Sequence, residues 1–416
     1  MNTAILHYSA PPVVGGVEMV IHAHAEQFLA AGMPITVIAG RGQASALPPG
    51  AAYTQIAEID SLHPEISAAT EVLNSGTIPD SFDGLVGSLM DQIQPVLSQY
   101  DNLIVHNVFT KHFNLPLTAA LFRLMDAGSI KNCIAWCHDL TWSSERSRGK
   151  VFSAYPWDLL KTYKSQITYV AISQQRRKEL IETTGCPSDK VRVVYNGVDP
   201  ALMLGLSTEA KRLIDSMDIL SADLILLMPV RITKAKNIEL AIRVVEALKK
   251  MHCSARIILT GPPDPHDTES MAYFRSLLEL RRQMGVENEM KFVYEFGPNP
   301  DEGLIIDRKT VFELYRVVDA LFMPSHKEGF GMPLVEAGIL GLPIITTRVP
   351  SYSELMDGKA LAVPPDMDPT DLAKEILNWL ESKPEYHNKV KVRRSLTWKV
   401  IFERDILRLL TKPAHP

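Results

Sequence analysis

Short continuous apolar runs alternate along this chain with longer stretches whose apolar residues recur at helical spacing. An unbroken apolar run bounded by turn residues suits a strand buried on both faces. A helical stretch between two such runs is the crossover that a parallel sheet requires. In the first half the pattern predicts strands at 4–7, 35–39, 103–106, 133–136, 169–172 and 191–194, with a helix over 17–30 that opens after Gly15-Gly16. The second half repeats the style, with strands at 224–230, 255–259, 291–293, 320–323 and 343–346. The fold class is therefore α/β, as two similar sheets in succession. The boundary is predicted at Asn196-Gly197-Val198-Asp199-Pro200, where a turn pair and a proline end the sixth strand. The segment 44–52, rich in Ala and Pro, reads as a loop, and 398–410 as a closing amphipathic helix.

The strand at 320–323 runs into Ser325-His326-Lys327-Glu328-Gly329-Phe330-Gly331-Met332-Pro333-Leu334-Val335-Glu336, a glycine loop followed at once by a helix. Gly329 and Gly331 allow close approach of the backbone, and Pro333 suits a first helical turn. The unpaired amides and positive dipole end of that helix suit a phosphate or diphosphate. Glu328 in the loop is placed to meet a hydroxylated ring, and Glu336 inside the helix to accept from a ribose diol. A sugar nucleotide has both parts. A plain strand-to-helix turn with two solvated glutamates is the alternative reading of the same residues.

This block, with the following Gly341-Leu342-Pro343 and with Glu354, resembles the E-x7-E signature of the retaining GT-B glycosyltransferases of family 4 (glycosyl transferases group 1). That family includes sucrose and trehalose synthases and phosphoinositol mannosyltransferases. The resemblance implies two Rossmann-like domains with a cleft between them: an acceptor domain over 1–198, a donor domain over 199–397, and a C-terminal helix in 398–416 that crosses back to the first domain. It implies a nucleotide-sugar donor, UDP-glucose or GDP-mannose, with Glu328 and the segment Phe330, Gly331, Met332, Pro333 and Leu334 near its sugar and Glu336 on its ribose. It also implies transfer that needs neither a metal nor another cofactor.

Arg231 and Lys236 follow the first strand of the second half, and a guanidinium fork and a mobile ammonium on one loop can neutralise a leaving diphosphate. The pair matches the family's R-x4-K, with Asn237 next to it. Gly15-Gly16 lacks the G-x-G-x-x-G spacing of a dinucleotide fingerprint, which disfavours an oxidoreductase. In the resembled family a glycine pair here turns its amides to the donor diphosphate. His138, in Trp136-Cys137-His138-Asp139 at a strand end, is a catalytic candidate through the same resemblance; a lone strand-end histidine is otherwise more often structural. His106-Asn107, at the end of the preceding strand, is assigned to the acceptor side. Gly261 and Phe296, in loops of the second half, are assigned to the donor. Asp264-Pro265-His266-Asp267 follows a Gly-Pro-Pro turn and is rejected as a metal site.

Net charge of −5 and a pI near 6.2 exclude the basic footprint of a nucleic-acid binder. Four cysteines without metal-type spacing, of which Cys133 and Cys137 in an apolar strand read as buried thiols, suggest a reducing, cytoplasmic setting. No leader is predicted before the first strand, and no apolar run is long enough for a bilayer span. Residues 42–110 contain eight acids and no Lys or Arg, so they cannot form the basic helix that lipid-directed relatives carry. The expected enzyme therefore moves a hexose, glucose or mannose, to a small soluble hydroxyl acceptor, with peripheral membrane contact disfavoured. Two rivals stay open on sequence: a GT-B-like nucleotide-sugar epimerase, and a non-catalytic nucleotide-sugar-binding subunit.

Overall fold

The computed structural model describes residues 1–297, 299, 302–356 and 358–410. The chain divides into two units, Met1–Gly197 together with the segment from Trp398 onward, and Val198–Thr397. In the first unit a parallel sheet contains β1 (Thr3–Ser9), β2 (Ile35–Arg41), β3 (Ala52–Gln55), β4 (Asn102–His106), β5 (Asn132–Cys137), β6 (Ile167–Ala171) and β7 (Val191–Val193). Their order is β3-β2-β1-β4-β5-β6-β7. Alternate residues of β1 supply opposite layers: Ala4, Leu6 and Tyr8 pack on one face and Ile5 on the other.

The closing helix belongs to this first unit. It runs as Trp398–Ile401, a π-helical turn Phe402–Ile406, and Leu407–Leu410. Its buried face includes Trp398, Ile401, Phe402, Ile406 and Leu410. Phe402 meets Phe28 of the helix Gly16–Ala30 edge-on, with ring centroids 5.0 Å apart. Residues 411–416 of the predicted terminal segment lie outside the described residues.

The second unit has β8 (Leu224–Met228), β9 (Ala255–Leu259), β10 (Met290–Phe292), β11 (Ala320–Met323), β12 (Ile344–Thr347) and β13 (Leu361–Val363) in the order β10-β9-β8-β11-β12-β13, again parallel. Every residue of β8 is buried, as its unbroken apolar run requires. Two strands escaped the sequence pattern. β3 is an edge strand with no fully buried residue, so it carries no apolar run; β13 is an edge strand of three residues, as short as β7 and β10, and nothing in its structure explains why the pattern passed over it.

In each sheet the strand order reverses beside a central pair, β1 with β4 and β8 with β11. Connections leave these strands toward opposite faces, and the crevice at their carboxyl ends is where an open α/β sheet receives a ligand. At the opposite end of β8 and β11, Asp319 and Arg393 form a buried bidentate pair, with Oδ1 2.7 Å and Oδ2 3.0 Å from the guanidinium. Asp319 also accepts from the Ile225 amide at 2.8 Å, while Arg393 donates to the carbonyls of Ala222 and Asp223. This network fixes the start of β8 against β11. Among the described residues no helix is long and apolar enough to cross a membrane.

Removing one member of a buried pair strands the other charge without a partner, so Arg393→Met should destabilise the protein by about 3 to 5 kcal/mol. Urea denaturation followed by circular dichroism checks this; a change below about 1 kcal/mol would contradict the bracing role.

Candidate active site

In the second unit the loops after β8 and β11 meet. Residues Lys234–Lys236 form a single tight turn, and Asn237 takes φ 50 to release the chain into the helix Ile238–Lys250. The His326 amide donates to the Ala235 carbonyl at 2.9 Å, which ties one loop to the other. Lys236 Nζ lies 2.6 Å from Glu328 Oε1, and the same oxygen accepts from Ser325 Oγ at 2.6 Å. Ser325 is buried and held in turn by Thr347, whose hydroxyl donates to the Ser325 carbonyl. The Glu328 side chain is only 9% exposed, so its direction is set by these contacts and not by solvent.

Gly331 precedes the helix Met332–Ile339 at φ 87, a conformation that a β-carbon would strain. Leu334 is buried, with its side chain packed against Gly331. Phe330 and Met332 are exposed, and Pro333 lies in the first helical turn. The Leu334 amide donates to the Gly331 carbonyl at 2.9 Å; the other N–H groups of a first helical turn have no partner within the helix. Glu336 is anchored from behind: Tyr315 Oη donates to its Oε2 at 2.8 Å, and Arg308 is 3.5 Å from its Oε1. Burial, and then this carboxylate, raise the Tyr315 phenol well above its ordinary pKa, so it stays a donor.

Arg231 reaches Asp264 at 3.6 Å and is not paired with Glu328. Both cations of the R-x4-K loop thus already face a carboxylate. Gly261 has a packing reason to be glycine, because a β-carbon there would stand 2.3 Å from the Val230 carbonyl oxygen. Phe296 ends the turn Val293–Phe296 and is half-buried. Among the described residues no group of three His, Cys, Asp or Glu could hold a metal ion, and Asp264 serves as the partner of Arg231.

The corresponding crevice of the first unit is lined by histidines. His7 is on β1, His106 ends β4, His138 follows β5, and His24 projects from the helix Gly16–Ala30; all are buried. His7 Nδ1 is 2.9 Å from the His106 carbonyl, and His106 Nδ1 is 3.0 Å from His138 Nε2. The His24 ring packs edge-on against Trp136 and Trp398, with centroids 4.6 and 5.4 Å away, and both of its nitrogens lack a partner. Glu18 completes the cluster, accepting from Ser9 Oγ at 2.6 Å and lying 4.0 Å from His7 Nε2.

Two sequence assignments change character here. His106 and Asn107 were assigned to the acceptor side, yet His106 is 0% exposed and Asn107 6%. Asn107, at φ 59, turns its Oδ1 back to accept from the amides of His138 and Asp139 at 2.8 and 3.1 Å. The dipeptide faces inward and supports His138. Gly15 caps and Gly16 opens the helix Gly16–Ala30, and the Glu18 carboxylate folds back over Gly15. An acid in the first turn is the favoured occupant of a positive helix end. Sequence reasoning missed Glu18, His7, Ser325 and Tyr315. Glu18 had a signal, as an acid just after a glycine pair at a helix start, and Ser325 had one in lying three residues before Glu328 in the same loop; His7 and Tyr315 are joined to the site only by tertiary contact.

Residues 14–202 match the family described as "Glycosyltransferase Family 4" and residues 211–394 match "Glycosyl transferases group 1". The chain thus carries these two domains in succession, and its two parallel α/β units are consistent with the GT-B fold. It is similar to an uncharacterised glycosyltransferase of Methanocaldococcus jannaschii, 27% identical over 201 residues, 48% of this chain and 46% of that one. It is also similar to a mannosylglucosylglycerate synthase of Petrotoga mobilis, 26% identical over 268 residues, 61% of each chain. The chain therefore spans about half to three-fifths of the length of these curated relatives. Among solved structures, an α,α-trehalose-phosphate synthase of Burkholderia xenovorans aligns over 99% of this chain and 100% of its own, at 13% identity and a TM-score of 0.40.

The histidine cluster makes the protein sensitive to acid. Burial, and then His138, push His24 down to about 3. Burial, and then His7, push His138 down to about 3. His106 falls well below its ordinary value through burial and its three histidine neighbours, and burial lowers His7 against the opposing pull of the His106 carbonyl and Glu18. In the unfolded chain each ring titrates near its ordinary value, so the unfolded state binds more protons as pH falls from about 6.5 toward 3, and stability is lost across that window. His24→Leu should reduce the loss between pH 8 and pH 5 by about 2 kcal/mol, at 1.36 kcal/mol per pKa unit. Parallel pH dependence of wild type and variant in urea titrations would show that His24 is not held neutral.

Proposed function

We propose that this protein is a retaining glycosyltransferase that moves a hexose, glucose or mannose, from a nucleotide sugar to the hydroxyl of a small soluble acceptor. The observation that carries the reading is the junction of the β8 and β11 loops. A cation and a carboxylate stand 2.6 Å apart beside a glycine-led helix start, at the switch point of an open parallel sheet. The family matches over both units support glycosyl transfer as the chemistry.

In this reading the second unit holds the donor. The amides of Phe330, Gly331 and Met332 receive the diphosphate, with Arg231 and Lys236 neutralising it as it departs. Glu336, held by Tyr315 and Arg308, accepts from the ribose, Glu328 orients the sugar hydroxyls, and the loops of Gly261 and Phe296 line the donor. The same reading assigns Gly15, Gly16 and His138 of the first unit to the donor. The acceptor oxygen forms its bond to the anomeric carbon on the face from which the phosphate leaves. The acceptor proton passes to a leaving phosphate oxygen, which balances the step without a protein nucleophile. UDP-glucose and GDP-mannose are the donors this reading favours.

Lys236 pairs with Glu328 at 2.6 Å, and in this reading an entering diphosphate takes the carboxylate's place beside the ammonium. Lys236→Ala should therefore lower kcat about a hundredfold while the fold is kept, the scale of losing one transition-state donor. Turnover with UDP-, GDP- and ADP-sugars against a panel of sugar and polyol acceptors tests the assignment, with anomeric NMR of the product reading retention. Near-normal turnover in folded Lys236→Ala would remove the assignment, and an inverted product would remove the mechanism.

A further inference from the structure

We infer that His106 is a positioning residue that fixes His138 as a neutral hydrogen-bond donor with its proton on Nδ1. The inference rests on the reading of His138 as a ligand-facing group. The geometry leaves few arrangements of protons. A backbone carbonyl only accepts, so the 2.9 Å contact between His7 Nδ1 and the His106 carbonyl places the His7 proton on Nδ1 and pins the end of β4. The 3.0 Å contact between His106 Nδ1 and His138 Nε2 holds one proton between two nitrogens.

The other nitrogen of His106 decides which ring supplies that proton. His106 Nε2 is buried and has no partner. A buried N–H without an acceptor costs its desolvation; His24 and the Trp136 indole already carry that cost in this cluster, and a proton on His106 Nε2 would add another. His106 therefore carries its proton on Nδ1 and donates it to His138 Nε2, and its orphan position is a lone pair. His138, with Nε2 occupied as an acceptor and its ring held neutral by burial, has its proton on Nδ1. Among the described residues His138 Nδ1 makes no hydrogen bond within the fold, so it is the nitrogen left for a ligand. The backbone of the same residue is fixed independently by Asn107 Oδ1.

Two successive residues at the end of β4 thus set both the ring and the main chain of a residue after the neighbouring strand. The register His106↔Trp136 brings them level; the His106 ring lies nearly parallel to Trp136, with centroids 5.8 Å apart, and nearly coplanar with His138, with centroids 5.2 Å apart, as an in-plane N–H···N bond needs. The consequence is chemical. A neutral Nδ1–H donates to a sugar hydroxyl or phosphate oxygen and does not act as a base at neutral pH. In water imidazole favours the opposite, Nε2–H, tautomer, so the state of His138 reports directly on His106.

The test is histidine-selective 15N NMR on the full chain without substrate, with the His138 signals assigned by their loss in His138→Gln. The expected wild-type pattern is Nδ1 protonated and Nε2 bare. His106→Leu should return His138 to Nε2–H and lower kcat about tenfold or more with the donor KM little changed, and His106→Asn, whose amide occupies the Nδ1 position, should restore both. A wild-type His138 protonated on Nε2, or one that keeps Nδ1–H in His106→Leu, overturns the inference. If His106→Leu does not fold, the wild-type pattern and His106→Asn decide alone. Because the tautomer is read without substrate, a failure of the transferase reading would show separately, as absence of transfer by a wild type whose tautomer is as expected.

Discussion

The contact between Lys236 and Glu328 organises the second unit's site, and the local structure is arranged to produce it. Both residues sit on loops leaving adjacent strands at the switch point of the sheet, so their approach needs β8 and β11 to be neighbours in the observed register. The Asp319 and Arg393 network secures that register at the far end of the strands, and the His326 to Ala235 hydrogen bond secures it at the near end. Ser325 then aims the Glu328 carboxylate, and Gly331 turns the chain so that a helix begins immediately beyond. A charged pair this sheltered is costly to build unless each partner is satisfied by hydrogen bonds, and here the carboxylate oxygen takes two.

The first unit solves a different problem. Its crevice gathers four buried imidazoles held in the neutral form, which lowers acid stability and is a poor arrangement if packing alone were at stake. The cost falls on a region whose rings and carbonyls define where protons lie. His7 supports the end of β4, His106 supports the His138 ring, and Asn107 supports the His138 backbone. Such a layered set of contacts is what holding a small polar group within a narrow range of positions requires.

Much of this was legible in the sequence because the relevant signals are local. Strands buried on both faces leave continuous apolar runs, which is why β1, β2, β4, β8, β9 and β11 stand out, whereas β3, an edge strand with no buried residue, does not. The E-x7-E block and the Arg231 and Lys236 spacing are likewise short-range patterns. What stayed hidden depends on tertiary placement. That Lys236 meets Glu328, that Arg231 turns to Asp264, and that His106 faces inward follow from strand order and burial, which no spacing within one segment encodes. Asn107 is instructive, since its role comes from a positive φ that redirects its side chain to the next strand's loop.

The central claim is that Lys236 is held in reserve by Glu328 until a phosphate takes it over. Isothermal titration of UDP, GDP and ADP into wild type and Glu328→Gln tests that claim most directly. Removing the carboxylate charge frees the ammonium and removes repulsion of the phosphate, so Glu328→Gln should bind its nucleoside diphosphate more tightly than wild type while losing transfer. Weaker binding of all three diphosphates by a folded Glu328→Gln would contradict the account.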